Sequence, residues 1–279
     1  MAGLIRKLFG GGAAPRLPAL PDGERVYAIG DIHGRLDLLE ALAEAIERDD
    51  AASPARETTV ILLGDLVDRG PDSAGVVRFA RQWAQRRDLR FISGNHEEMF
   101  LHAFLERNAL KGLLRFGGIE TLRSYGLEPE DLLDMEFEDA RQALDRAVPK
   151  EDRQFLRGFE LMIRKGDYLF VHAGIHPRVP LDQQNSHDCR WIREPFLSHT
   201  GDHGCFVVHG HTVTAQADLR ANRIGIDTGA YDSGVLSALR LEGSDRRLIQ
   251  TEQRDAAISV HERGANCIAD LHDIVPGSL

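Results

Sequence analysis

Cysteine is scarce in this chain and long apolar runs are missing. The three cysteines, Cys189, Cys205 and Cys267, are odd in number and form no Cys-x-x-Cys pair. That argues against a disulfide framework or a thiolate-ligated zinc site and leaves ordinary free thiols. No stretch reaches the roughly 18 apolar residues that a membrane-spanning helix needs. A cationic surplus is also missing: 34 Lys and Arg stand against 44 Asp and Glu, a formal net charge of −10. A nucleic-acid backbone requires clustered Lys and Arg, so no nucleic acid is expected as a partner. An anionic phosphate substrate stays open, because bound cations would reverse the local field. There is no Gly-x-Ser-x-Gly loop, and no cysteine has an arginine six residues on, so no protein nucleophile of those kinds is offered.

What is present is ordinary for a globular chain of 279 residues, 42% hydrophobic and 28% charged, without repeats or low-complexity blocks. Leu4, Ile5, Leu8 and Phe9 surround Arg6 and Lys7 at helical spacing, ahead of Gly10-Gly11-Gly12. This is too short for a signal-peptide core. It reads as a disordered tail, with a membrane-surface helix as the alternative. No stable membrane association and a cytoplasmic location are expected.

The organised part begins near Arg25. Short apolar runs at Val26–Ile29, Thr59–Leu63 and Leu89–Ile92 have strand character, separated by helical periodicity at Leu36–Ile46 and from Asp72 or Ser73 to about Arg86. Alternating strands and helices predict a largely parallel arrangement. Residues 97–164 read as mainly helical, a plausible place for substrate selection. Strand-like runs return at Tyr168–Val171, Cys205–Val208, Arg223–Ile226 and Val235–Leu241. With no linker-like break, residues 25–254 form one expected domain, between an N-terminal tail, 1–24, and a C-terminal tail, 255–279.

Five segments carry the chemistry: Gly30-Asp31-Ile32-His33-Gly34, Gly64 to Gly70 (GDLVDRG), Gly94-Asn95-His96-Glu97, His172-Ala173-Gly174 and His209-Gly210-His211. One Gly-Asp before a turn means little. Five such pieces, each directly after a strand-like run, place carboxylate, amide and imidazole together at the carboxyl edge of a sheet, where ligands gather in α/β proteins. Asp31 and His33 can face one cation from one loop. Asp65 could bridge two cations, and Asn95, His172 and His211 can complete the second site. Mixed oxygen and nitrogen ligation suits Mn, Fe or Zn better than Ca or Mg.

These five motifs closely resemble the phosphoprotein phosphatase branch of the calcineurin-like metallophosphoesterases, and more narrowly the bacterial and phage serine/threonine protein phosphatases. RGPDS at Arg69–Ser73, GGIETLRSYG at Gly117–Gly126 and WIREPFL at Trp191–Leu197 resemble that bacterial group as well. The resemblance runs from about Arg25 to Gly243. It implies an α/β fold, a four-layer α-β-β-α sandwich with a helical insertion and two divalent cations, Mn2+ first among them. It assigns Asp31 and His33 to the first cation, Asp65 to both, and Asn95, His172 and His211 to the second. It makes His211 the ligand of its motif, with His209 supporting or packing. It leaves the role of His176 open and puts Tyr231 near the pocket or in packing.

The expected reaction is direct attack on phosphorus by a water or hydroxide bridging two cations ~3.5–4 Å apart. Arg69 offers a guanidinium shaped for two phosphate oxygens. Arg193 is the second clamp by resemblance, with its neighbour Arg190 as the competing choice. His96 is the candidate general acid and Asp68 its partner, able to raise its pKa. Phosphorylated proteins or peptides are the expected substrates and inorganic phosphate the product. Two other readings compete. A dinucleoside tetraphosphate hydrolase shares much of the framework, although its close relatives tend to lack the aspartate that stands here as Asp68. A non-catalytic binding module would be expected to have lost a ligand or the acid, and neither is missing.

Overall fold

The computed structural model describes residues 17–52 and 57–265. The helical reading of Leu4–Phe9 and the thiol of Cys267 lie outside the described residues.

Three parallel strands build the first half: β1 (Glu24–Ile29), β2 (Glu57–Leu62) and β3 (Asp88–Phe91), with helix α1 (Leu36–Ala52) between β1 and β2 and α2 (Ser73–Trp83) between β2 and β3. The Asp72 side chain caps α2 by accepting from Gly75 N at 2.7 Å, satisfying one of the unpaired N–H groups of a first helical turn. Six short helices follow: α3 (Asn95–His102), α4 (Arg107–Arg115), α5 (Gly118–Ser124), α6 (Pro129–Asp134), α7 (Phe137–Ala147) and α8 (Lys150–Arg157). Next come β4 (Met162–Lys165), β5 (Tyr168–Val171), α9 (Ser186–Trp191), β6 (Phe206–His209), β7 (Asp218–Leu219), β8 (Arg223–Gly225) and α10 (Ala230–Ser233). The described chain closes with β9 (Ser237–Glu242), β10 (Asp245–Arg254) and β11 (Ala257–Gly264).

The strands form two sheets, ordered β11-β10-β9-β1-β2-β3 and β4-β5-β6-β8-β7. Side-chain alternation along β1 explains the stacking. Tyr27 and Ile29 point to Leu38, Leu39, Leu42 and Ile46 of α1 and to Val76 and Trp83 of α2. Val26 and Ala28 point the other way, against Tyr168, Phe170, Val208 and Ile224 of the second sheet. Its far face carries Leu169, Val171 and Val207 under Cys189, Ile192 and Phe196. The result is the expected four-layer α-β-β-α sandwich, with each fully buried Leu or Ile contributing about 1.5–3 kcal/mol. The helical section has its own core around Phe100, Leu113, Leu122 and Leu144.

Three boundaries differ from expectation. Helix gives way to strand before residue 164, because Met162–Lys165 pairs antiparallel with β5. The stretch read as a C-terminal tail includes β11, which pairs with β10 from Ala257 to Gly264. Ile258 and Val260 alternate onto the core beside α1 while the other side chains are exposed, so only two apolar residues mark this edge strand in the sequence. At the other end Leu20 is buried and its N–H donates to Gly243 O at 2.9 Å, so part of the stretch ahead of Arg25 packs on the sheets. No helix among the described residues is long and apolar enough to cross a membrane.

Candidate active site

All five motifs converge at one edge of the sandwich, on loops that leave the carboxyl ends of β1, β2, β3, β5 and β6. The loops are stitched to one another. Ile32 N and His33 N donate to Asp65 O at 3.1 and 2.8 Å, Gly34 N to Leu66 O at 2.9 Å, and Gly210 N to His172 O at 2.8 Å. The buried Glu97 carboxylate accepts from Asp65 N, Leu66 N and Gly94 N at 2.9, 2.7 and 2.8 Å. Glu97, quoted above only as the end of a motif, thus holds the β2 and β3 loops together. Positive φ angles at His33, Asp65, Asp68, Arg69 and His211 mark the same place. Left-handed backbone is unfavourable for residues with a β-carbon and persists where surrounding bonds over-determine it, as at functional sites.

The donors fall into two groups that share Asp65: His33, Asp65 and His96, and Asp65, His172 and His211, each with ligand atoms within 4.8 Å of one another. Asp65 Oδ2 lies 3.6 Å from His33 Nε2 and 3.4 Å from His172 Nε2. Asn95 Oδ1 lies 3.0 Å from His172 Nε2 and 2.9 Å from His211 Nδ1. Asp31, also buried, accepts from His211 N at 3.0 Å through Oδ2. All six residues read as ligands from the sequence are therefore neighbours here.

Three observations test this set against divalent cations. First, outer partners set the imidazole tautomers: His33 Nδ1 bonds Val67 O and His172 Nδ1 bonds Leu63 O, both at 2.8 Å. That turns each Nε2 lone pair into the cluster, as in metal-bound histidines. Second, His211 Nε2 and Asp227 Oδ2 are buried without a hydrogen-bond partner among the described residues. Third, negative charge is concentrated. Burial, with Asp227 and Asp65 nearby, pushes the Asp31 carboxyl well above the usual carboxylate range. Burial would raise Asp65 too, but His172, His96 and His33 hold it well below. Burial pushes His33 and His211 down to about 3, so both are neutral and ready to ligate. The donors fit two cations.

Asp227 is a further buried carboxylate beside Asp31 in this cluster, and the sequence reading missed it. Its signal was available: it follows the strand-like run Arg223–Ile226 and precedes Gly229, as the other site carboxylates follow strands beside glycine.

Around the six residues read as ligands lie those expected to handle phosphate and protons, His96 among them although its ring also falls in the first donor group. His96 Nδ1 is 2.7 Å from Asp68 Oδ2, and both side chains are buried. Burial disfavours the His96 imidazolium, but Asp65 and Asp68 outweigh it and raise the pKa. Arg69 reaches His33 Nε2 at 2.9 Å and His96 Nε2 at 3.0 Å, a cation already bedded among the imidazoles. The Tyr231 ring lies under this guanidinium, 4.9 Å from centroid to Cζ, and edge-on to His33 at 5.5 Å, so it belongs to the pocket wall. Arg193 is exposed, its guanidinium makes no hydrogen bond among the described residues, and its charge helps to lower the His211 pKa. Arg190 is occupied: Nη1 pairs with Glu98 at 2.8 Å and Nε bonds Ser93 Oγ at 3.2 Å. His209 faces away from the donors, 3.1 Å from Arg223 Nη1 and edge-on to Phe196. His176 caps its own loop through Gln184 and Arg178.

Known proteins match along most of the chain. It is 26% identical over 237 residues to a Bis(5'-nucleosyl)-tetraphosphatase PrpE [asymmetrical] of Bacillus velezensis, covering 76% of this chain and 87% of that protein. It is 27% identical over 226 residues to Serine/threonine-protein phosphatase 1 of Salmonella typhimurium, covering 78% and 92%. A cold-active protein-tyrosine phosphatase of a psychrophilic Shewanella superposes with a TM-score of 0.52 at 19% identity, over 87% of this chain and 83% of that one, which speaks for the fold alone. The family model of the calcineurin-like phosphoesterases matches residues 24–235, every motif loop included. This chain is a member of the calcineurin-like phosphoesterase family, a metallophosphoesterase.

Proposed function

We propose that this metallophosphoesterase is a phosphomonoesterase that removes phosphate from phosphoserine and phosphothreonine in proteins. The observation that carries the reading is the His96–Asp68 pair, 2.7 Å apart beside the donor cluster. A serine or threonine leaves phosphorus as a strongly basic alkoxide and needs a proton in the transition state. A nucleotide leaves as a phosphate anion that is already stable, so a buried acid is of far less use to it.

Asp31 and His33 would hold one cation, Asn95, His172 and His211 the other, with Asp65 common to both. Two divalent cations, Mn2+ on this reading with Fe or Zn as substitutes, neutralise charge on the phosphoryl group and activate water when bound. The protein's own groups do the rest. Arg69 and Arg193 grip phosphate oxygens from two sides, Arg193 because no group among the described residues engages it. In this structure Arg69 Nη2 donates to His96 Nε2 at 3.0 Å. On this reading Arg69 turns to the phosphate oxygens when substrate binds, and His96, in its imidazolium form stabilised by Asp68, then donates from Nε2 to the departing oxygen. Phosphorylated protein segments are the partners and inorganic phosphate the product.

Hydrolysis of dinucleoside tetraphosphates is the second reading, favoured by the likeness to the Bacillus velezensis protein over 87% of that protein's length. One comparison separates the two: metal-stripped protein refilled with Mn2+, given a phosphothreonine peptide and diadenosine tetraphosphate in parallel. Faster phosphate release from the peptide is expected. Preferential cleavage of the dinucleotide would overturn the substrate class and leave the donor set intact.

A further inference from the structure

The segment Gly117–Gly126 has so far received no task, yet its helix α5 forms the rear wall of the His96–Asp68 pair. Thr121 is fully buried, and its Oγ1 donates to Asp68 Oδ1 at 2.7 Å while accepting from Asp68 N at 2.8 Å. Ser73 Oγ, at the start of α2, lies 2.9 Å from Thr121 Oγ1 and accepts from Asp68 N at 3.0 Å. The hydrogen directions follow from the inventory of donors. Thr121 has one hydroxyl hydrogen, and the carboxylate can only accept it. Ser73 must then donate to Thr121. One oxygen of Asp68 is thereby tied to Thr121, and the other, Oδ2, remains for His96 Nδ1.

The same segment holds the next residue. Arg69 N donates to Gly117 O at 2.8 Å, and a β-carbon on Gly117 would stand 2.7 Å from Arg69 Cγ. Ser124 Oγ accepts from Ala74 N at 3.1 Å and donates to Thr121 O at 2.7 Å, locking α5 to α2. Asp68 and Arg69 have φ of 74° and 69°, so both depend on such outside bonds to keep their backbone.

We propose that Thr121 is a positioning residue: its hydroxyl orients the Asp68 carboxylate toward His96 Nδ1 and so presents His96 Nε2 to the leaving-group oxygen. This rests on the general-acid role of His96 proposed above. A buried carboxylate with one oxygen untied can rotate about its terminal bond, which is broad and roughly two-fold, and the aim of the imidazole goes with it. The helical insertion thus acts on proton delivery from behind the site, without touching substrate.

The test uses two substrates that need the proton to different degrees. Phenyl phosphate releases a basic phenolate and 4-nitrophenyl phosphate a far less basic one. The proteins are the Mn2+-loaded full chain and its Thr121→Val, Thr121→Ser and His96→Asn variants, with bound manganese measured for each. Thr121→Val is expected to lose about 10-fold or more in kcat on phenyl phosphate beyond its loss on 4-nitrophenyl phosphate, a fraction of a general acid's full effect. Thr121→Ser, which restores the hydroxyl, should stay near wild type on both, and manganese content should not change. If Thr121→Val does not fold, Thr121→Ala is read by the same ratio. Equal losses on both substrates, or lost manganese, overturn the role of Thr121. If His96→Asn nonetheless shows the selective loss, the general acid survives that failure. If His96→Asn shows none, the general-acid reading falls and Thr121 falls with it.

Discussion

Gly94 gives up a side chain so that Asp65 can take its place: a β-carbon on Gly94 would stand 2.1 Å from Asp65 Oδ1 and 2.6 Å from Asp65 N. The carboxylate shared by both donor groups is therefore seated by an absence in the neighbouring strand loop. Gly94→Ala is expected to destabilise the fold and to weaken manganese binding, since the obstructing atoms include backbone that has no room to shift. Gly112, inside α4, has nothing within 4 Å of the same position. Gly112→Ala should stabilise the chain by about 0.5–1 kcal/mol, the usual gain in a helix. Thermal melts of both variants check the contrast, and a neutral Gly94→Ala would refute it.

Asp65→Asn should depress binding of both cations together. A neutral amide supplies one weak oxygen where a carboxylate supplies two charged ones. Manganese bound per chain, measured after dialysis, is expected to fall toward zero. Loss of a single equivalent would show that Asp65 serves only one cation.

Arg190, in the last turn of α9, and Arg193, just after it, should separate cleanly. Arg193→Ala leaves the folded protein intact and costs about 10- to 100-fold in kcat/KM, the worth of one charge-assisted hydrogen bond. Arg190→Ala removes the cationic partner of the partly buried Glu98, which keeps only its hydrogen bond from Trp191 Nε1 among the described residues, and is expected to lower the melting temperature. Steady-state kinetics beside melting curves decide it. The reverse pattern would make Arg190 the clamp.

His209 sets a pH dependence of stability. Burial pushes its pKa down to about 4, so it is neutral in the fold. In the unfolded chain it takes a proton below about 6.5. Between those values the unfolded state binds more protons, so stability is full above pH ~6.5 and is lost as pH falls toward ~4. Relative to His209→Gln, the wild type should lose on the order of 3 kcal/mol across that window. Urea denaturation of the metal-free proteins at pH 7 and pH 4.5 measures it, and parallel curves would rule it out.

Much of this protein is legible in its sequence. The strand Tyr168–Val171 coincides with the run read from sequence, and β1, β2, β3, β6 and β8 lie within two residues of theirs. Buried parallel strands are continuous apolar runs, and the glycines, carboxylates and imidazoles at their ends are local in the chain. Those same residues then prove to be neighbours in space, because parallel strands bring their carboxyl ends to one edge. The edge strand β11 was not read from the sequence, because its apolar alternation is limited to Ile258 and Val260 and the rest of the strand is exposed.

The sequence by itself determined the fold class and which residues gather at the candidate site, because both are written in short, contiguous patterns. Only the tertiary structure decided which arginine is free, that Asp227 joins the cluster, and that Thr121 stands 53 positions from Asp68 yet bonds its carboxylate at 2.7 Å. These are relations between distant segments. A hydroxyl or a guanidinium has no task until packing supplies its partner, and that partner is not encoded near it in the chain.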